Sequence, residues 1–515
     1  MSDYDSTITQ RSVSLRRCTG ALWRLFRRSL RWWLIILVLL AAAWLIADRR
    51  TNAQLRAEYG KIEAAGEPVT LAELAPEIPP GEKNAADAYL VAFEFMPDDP
   101  AFRDIELLHA DLDRARQALK TQETSLRLLK KAAAMEHSAF PIDWSRPAYE
   151  LTFPHFAQMR NAARRLTLEA NVLAAGGNPD EALDSIGAAF GMGEHAKADP
   201  ILIAQLVAYA IDGMAAASLQ EVLSTSTPSP AACRKLYNQL GECEFDARMH
   251  AALLGERACG HDFFRQVRQS GGAAFGPSLG DVGLAFPPIF LDVYRTLGRP
   301  LLNLDELAYL QHMEKVIAGF ELPWSGRMSK HTGFDDAEAQ FASRHHVISA
   351  MVLPVFSRSG LSMRRAEALV AATRAALAAK AFRAQRGRYP DSLADLEAAG
   401  WSIPEDPFTG NPLRYRRAGN AFVVWSLGPN IKDDNAAEYD RQNMSYEDGA
   451  YDIPFFCDPE WARQQGEERQ RGAEETARQA AEAEKEEARR AAERTSARRG
   501  RTARGARRGA AASAR

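Results

Sequence analysis

Apolar residues fall into three regimes along this chain. Between Trp32 and Ala47 they are unbroken, with no charged side chain in the run. At about 1.5 Å per residue such a helix rises roughly 24 Å, slightly less than the hydrocarbon core of a bilayer. The run predicts a transmembrane helix with Trp32, Trp33 and Trp44 at interfacial depth, and with Arg31 and Arg49 snorkelling to cover the deficit. From 102 to 355 the apolar positions return at helical spacing. One helix runs from about His155 to Ala175, Gly176 and Gly177 stop it, and Asn178-Pro179 opens the next. The third regime starts near Ser362. An alanine-rich helix runs to Arg386 and is closed by Gly387; a short helix and two alternating strands follow, joined at Ala418-Gly419-Asn420. Arg364, Arg365, Arg374 and Arg383 are expected on the wetter positions of that long helix.

The connections carry less information. Pro76, Pro79 and Pro80 hold the backbone extended until Asn84, which is placed to cap a helix with Tyr89, Leu90 and Phe93 on one face. The helical pair around Gly176-Gly177 resembles one tetratricopeptide-type hairpin, but no such period recurs, which argues for a bundle. "ILIAQLVAYAIDGMAAASL" (201–219) is long enough to cross a bilayer, yet Gln205, Asp212 and Gly213 interrupt it. A central aspartate costs about 2.5–3.5 kcal/mol on insertion, so this stretch is expected to be a buried helix of the body. The glycine- and proline-rich stretch 270–288 has no phosphate-cradling spacing and reads as a loop.

Charge changes the picture at both ends. The net charge of -3 averages over very uneven segments. Arg11, Arg16, Arg17, Arg24, Arg27, Arg28 and Arg31 precede the span, and "LWRLFRRSLR" is amphipathic, as expected of a segment lying on the inner membrane surface. This arginine excess predicts a cytoplasmic N-terminus and an extracytoplasmic body. Cleavage at the Ala41-x-Ala43 site would instead make it a signal peptide; the long arginine-rich lead and the apolar run past Ala43 favour an uncleaved anchor. The segment from Cys457 has almost no large apolar residue; its first half reads as a solvated stretch compatible with a helix, whereas Arg489 to Arg515 sets ten arginines against Glu493 alone. That composition predicts disorder. Outside the membrane such a tail meets anionic lipid, polysaccharide or cell-wall polymer; nucleic acid would be its partner only with a cytoplasmic C-terminus.

Candidate chemistry is sparse. Cys18, Cys233, Cys243, Cys259 and Cys457 form no C-x-x-C pair, which leaves structural zinc without support. Buried free thiols are expected, with one bridge among Cys233, Cys243 and Cys259 as the alternative. His250, Glu256 and His261 could share a helical side, but no H-E-x-x-H spacing occurs and Gly255 and Gly260 weaken the helix. The expected reading is ordinary helix residues, with Glu256 and Arg257 in a core ion pair. His345 and His346 are adjacent and diverge on a helix, and Asp335-Asp336 reads as a solvated loop pair. No G-x-S-x-G elbow or placed nucleophile–base pair is present.

The C-terminal motifs "GRYPDSLADL", "DPFTGNPLRYR" and "WSLGPN", ending in an Asp-Ile after an acidic stretch, follow one another behind the long helix. This order resembles the globular part of the major pseudopilin of type II secretion systems, over about 95 residues. The resemblance implies a small α+β domain and a calcium-binding loop. The ligands it implies here are Asp433, Asp434, Asp448 and Asp452 with the carbonyl of Leu427. The chain departs from that family in two places. Asn430-Ile431 stands where Asp-Gly is usual, and Gly20 is followed by "ALWRL" without the processing glutamate.

The chain is thus expected to be mainly α. Its segments are a basic cytoplasmic stretch (1–31), an anchor (32–47), an extended lead-in with a first helix (48–101), a helical body (102–355), a pseudopilin-like α+β domain (360–456) and a charged tail (457–515). A membrane-anchored extracytoplasmic scaffold or interaction protein fits best, bound to the membrane and to envelope or secretion-system proteins. The alternatives are a secretion-system component and an exported enzyme with its site in the helical body.

Overall fold

The computed structural model describes residues 3–78, 82–96, 109–274, 288–320, 354–437 and 451–475, with a few isolated positions between and after them. The apolar run lies inside a much longer helix, α1 (Asp3–Ala64). Between Ala47 and Ala64 the chain contains no proline and Gly60 as its sole glycine, so nothing stops the helix where the apolar run ends. The extended lead-in expected from residue 48 therefore begins only after Ala64. The arginine-rich lead and the span are likewise one continuous helix, with no turn between them.

Past the apolar run, α1 acquires a docking face. Leu55 is buried in the core, with Tyr59 and Ile62 packed beside it. After an extended stretch with a 3-10 turn (Leu71–Leu74), α2 (Ala85–Glu94) begins. The Asn84 side chain caps it by accepting the Ala86 amide at 3.0 Å, as expected. Tyr89 and Phe93 are buried, whereas Leu90, one residue round the helix, is exposed.

The body continues through α3 (Leu112–Lys120), α4 (Glu123–Ala133), α5 (Pro154–Ala175), α6 (Pro179–Ala196) and α7 (Leu202–Thr225). It then runs on through α8 (Pro230–Gln239), α9 (Phe245–Ser270), α10 (Pro288–Arg295) and α11 (Arg299–Phe320). The α5–α6 turn forms as its residues dictate: Gly177 adopts φ 83° and the Asn178 amide closes back on Leu173 O at 2.9 Å. Both α1 and α7 are apolar and long enough to cross a membrane. The apolar window of α7 is 67% buried inside the protein, however, and that of α1 is 0% buried. Only α1 is left facing outward, which fits a single anchor.

Helix α9 runs unbroken through Gly255 and Gly260. These glycines are packing positions. A Cβ at 255 would overlap the Pro200 carbonyl, and one at 260 would overlap the Tyr309 ring, so their absence lets the α6–α7 turn and α11 approach α9 closely.

The C-terminal region contains α12 (Pro354–Arg386), α13 (Leu393–Ala398) and a three-stranded antiparallel sheet: β1 (Arg414–Ala418), β2 (Ala421–Ser426) and β3 (Ile453–Cys457), in that order. Tyr415 pairs with Val424, and Val424 with Phe455. The inner sheet face (Phe422, Val424, Phe455, Cys457) belongs to the same core cluster as the helical body. Helix α12 packs on α7 and α8 on one side and on β2 and β3 on the other. Its arginines are consequently drier than expected: Arg364 is buried and pairs with Asp246 at 2.8 Å, and Arg374 lies over the Tyr237 ring at 4.5 Å. Cys457, placed by sequence at the head of the tail, instead closes β3. A helix over 459–475 then docks through Trp461 on Phe456 and through Arg469 to Glu221 at 2.8 Å. Cys233, Cys243, Cys259 and Cys457 are all free thiols.

The close approach at Gly255 sets a test. Gly255→Ala is expected to lose about 1–3 kcal/mol by overpacking against backbone. Gly213→Ala, at an open helical position, is expected to gain about 0.5–1 kcal/mol. Denaturant unfolding of the full chain in detergent checks both; equal effects would mean that the 255 contact is not tight.

Candidate functional site

The loop implied as a cation site begins behind a staple. Asp406 is buried, and its Oδ1 accepts the Phe408 amide at 3.0 Å and the Ser426 hydroxyl at 2.7 Å, while Oδ2 accepts the Leu427 amide at 2.9 Å. Its carbonyl accepts the Gly410 amide at 2.7 Å, with Gly410 at φ 67°. One carboxylate thus ties the "DPFTGNP" turn to the end of β2, a structural role that satisfies a buried charge with three donors.

Beyond it, residues 427–437 fold into a tight loop. Gly428 has φ 64°, and a Cβ there would overlap the Tyr451 carbonyl. Ile431, Asn435 and Ala436 also take positive φ, a conformation that costs non-glycine residues of order 1–3 kcal/mol each. The aspartates offset that strain. Asp433 accepts the Trp425 indole N–H and the Asn435 amide, each at 3.1 Å. Asp434 accepts the Asn430 side chain at 2.9 Å and the Tyr451 amide at 3.0 Å. Asp452 accepts the Ala436 amide at 2.7 Å.

These three carboxylates share one loop, and each spends an oxygen on loop N–H groups. Among the described residues no three His, Cys, Asp or Glu side chains gather as a cation cluster. Asp448 lies outside the described residues. The Leu427 amide faces Asp406, and the Leu427 carbonyl with the carboxylates of Asp433, Asp434 and Asp452 are the groups this loop holds toward a cation that takes six to eight oxygens. The buried Oδ1 of Asp452 has no hydrogen-bond partner among the described residues. Burial, opposed by backbone donors and reinforced by the charges of Asp434 and Asp433, pushes this carboxyl up to about 6.

The helical body holds the residues that sequence reading did not single out. Lys197, at the end of α6, is almost fully buried and pairs with Asp212 at 2.9 Å and Glu194 at 2.5 Å, its ammonium 4.2 Å from the Phe245 ring centroid. Burial opposes its charge, but the two carboxylates outweigh that and hold its pKa above the ordinary lysine value. This pair explains how Asp212 sits inside an apolar helix. Nearby, His155 Nε2 meets Asp199 Oδ2 at 3.0 Å, stacked on Phe140. His195 Nε2 donates to Met135 O at 3.0 Å, which leaves Nδ1 to accept the Tyr89 hydroxyl at 2.8 Å; burial lowers its pKa and keeps the ring neutral. The signal in the sequence is an apolar helix that carries one aspartate, with the lysine of "HAKADP" just upstream.

The His250–Glu256–His261 grouping does not converge. Glu256 accepts the Leu202 amide at 2.8 Å and so caps α7, and burial raises its pKa. Arg257 pairs with Glu67 at 2.5 Å, not with Glu256. His261 turns to Glu306 at 3.1 Å, where the Tyr59 hydroxyl and the Arg268 guanidinium also meet. Burial works against the charge of Glu306, but these partners outweigh it and lower its pKa. His345, His346, Asp335 and Asp336 lie outside the described residues.

A cleft of about 700 Å³ opens between α4, α6 and α8, lined by Lys130, Glu136, Asp184, Lys235 and Gln239 among others. Its lysines are already paired, Lys130 with Glu169 at 2.9 Å and Lys235 with Asp184 at 2.7 Å. No family model, curated protein or solved structure matches this chain.

Two expectations follow from these charges. Lys197→Met leaves the buried Asp212 carboxylate and the half-buried Glu194 without a cation and is expected to cost about 3–5 kcal/mol, while Lys197→Met/Asp212→Leu recovers most of it. Denaturant melts of both variants decide, and equal instability would deny the pair its role. The second concerns Asp452, whose folded pKa of about 6 exceeds an unfolded value of about 3.9. Its contribution to stability is full below the unfolded value and is lost as pH rises through about 6. The melting advantage of Asp452→Asn over the parent should therefore be largest near pH 7.5 and vanish near pH 4. A difference constant with pH would refute this. A parent midpoint raised by millimolar calcium would show the ion held by this loop, and an unmoved midpoint would count against it.

Proposed function

We propose that this chain is a membrane-anchored extracytoplasmic scaffold whose C-terminal α+β module, of the pseudopilin type, binds a protein partner in the cell envelope. The observation that carries this reading is mechanical continuity. Helix α1 leaves the apolar run without a break and docks on α11. The same core continues to the sheet, where Phe456 N meets Gln220 Oε1 at 2.7 Å and Asp458 N meets Ser224 Oγ at 3.0 Å. The module is held in fixed relation to the anchor, as a presenting scaffold requires. The order of α12, α13, a two-stranded hairpin, an acidic loop and a third strand supports the pseudopilin-type reading, and the paired state of the body's buried charges argues for structure over catalysis.

The surface offered is the β1 edge. Among the described residues this strand has no neighbour on its outer side, and Arg414, Arg416 and Arg417 are exposed on it, Arg417 beside Asp391 at 2.8 Å and Arg414 3.6 Å from Asp433. An exposed edge adds a partner strand through its free backbone groups, and the arginines select an acidic one. Secretion-system proteins of the envelope are the proposed class of partner.

A photo-crosslinking residue at Arg416 in the full chain, in its native membrane, is expected to trap one specific envelope protein. Arg414→Glu/Arg416→Glu/Arg417→Glu should abolish the crosslink, and Lys235→Glu, far from the edge, should not. A reporter fused after residue 475 should be active only outside the cytoplasm. Loss of the crosslink in neither variant, or a cytoplasmic reporter signal, would remove the proposal.

A further inference from the structure

We infer that the α10–α11 hairpin is a second membrane-contacting element, with its aliphatic stripe seated among the lipids of the bilayer that α1 spans. The inference rests on that spanning role of α1. Ile289, Val293 and Leu297 recur every fourth residue along α10 and its turn, and they are 69%, 50% and 75% exposed. Leu301 adds a fourth side chain at 53%. Single exposed aliphatics are common on soluble surfaces, but a contiguous stripe of this kind marks an interface.

What fixes the occupant is the level at which the stripe is held. The Trp44 indole N–H donates to the Leu297 carbonyl at 2.6 Å. Trp44 belongs to the uncharged run and lies one helical turn, about 6 Å, before Asp48, its first charged residue. The most exposed residue of the stripe thus sits at the depth of an interfacial tryptophan. Arg299 reinforces the placement, since its guanidinium bonds the Asp48 carboxylate (Nε to Oδ1 at 2.7 Å) and lies 5.2 Å from the Trp44 ring centroid. The remaining charges of residues 288–301 are compatible with an interface: Arg295 pairs with Asp292 at 3.0 Å, and both arginines have the reach to snorkel to headgroup phosphates. The body beyond the membrane is therefore attached by one transmembrane helix and one shallow apolar foot, which together restrict rotation about the α1 axis.

The test uses the full chain reconstituted in phospholipid vesicles and a carbene-generating probe confined to the acyl region, with labelled peptides mapped by mass spectrometry. Label is expected on residues 32–47 and on 288–301, and none on α8. In Val293→Asp/Leu297→Asp the label on 288–301 is expected to be lost while that on 32–47 persists. Label on 32–47 without label on 288–301 in the parent overturns the inference and leaves the anchor standing. Label on neither segment shows that α1 itself is outside the bilayer. An unlabelled stripe together with a Leu297→Cys disulfide between two copies would assign the stripe to a second protomer and likewise overturn it.

Discussion

Glu306 is fully buried on α11, and Tyr59 from α1, His261 and Arg268 from α9 converge on its carboxylate. A carboxylate taken out of water costs several kcal/mol unless its partners stay in place, so this cluster makes three helices answer to one another. It is the inner rung of a ladder. Asp48 with Arg299 and Thr51 with Asn303 at 3.2 Å extend it back along α1, and Glu67 with Arg257 continues it just past the end of that helix. Charged and polar pairs specify one register where an apolar seam alone would tolerate sliding. Through them the first helix becomes a stalk of the body, not a tether.

From that stalk a single core leads to the C-terminal sheet. Helix α12 is the shared wall, with α7 and α8 on one face and β2 and β3 on the other. Such an element cannot be removed from either side without opening the other, so the module and the body are expected to unfold as one cooperative unit. The glycines of α9 serve the same end by bringing the Pro200 carbonyl and Tyr309 within contact of its backbone. Rigid coupling over this distance has little use for a flexible linker protein, but it suits one that presents a strand edge at a set height above a membrane.

Much of the local structure was legible in the residues. The Gly176-Gly177 stop, the Asn84 cap, the β1–β2 turn and the anchor follow from short-range chemistry that acts wherever those residues occur. The candidate loop was legible in part: Asp433, Asp434 and Asp452 do come together around one loop, but the donors they hold, the Trp425 indole, Asn430 and backbone amides, are supplied only by the fold. Glu256 and Arg257 show the limit most clearly. Adjacent on a helix, they point apart, and each finds its partner more than fifty residues away, at Leu202 and Glu67.

What the sequence by itself determined is therefore what depends on neighbours along the chain: an apolar run long enough for a bilayer, helices and their ends, a hairpin turn and an acidic loop. The tertiary structure decided the fate of every buried charge. Asp212 interrupts the apolar run of α7 in the sequence, and the fold sets Lys197 2.9 Å from it; α12 reads as half solvated, and the fold covers Arg364 with Asp246 and Arg374 with Tyr237. The physical reason is that the cost of burying a charge is set by which opposite charge the fold brings within about 3 Å, and no local pattern carries that distance.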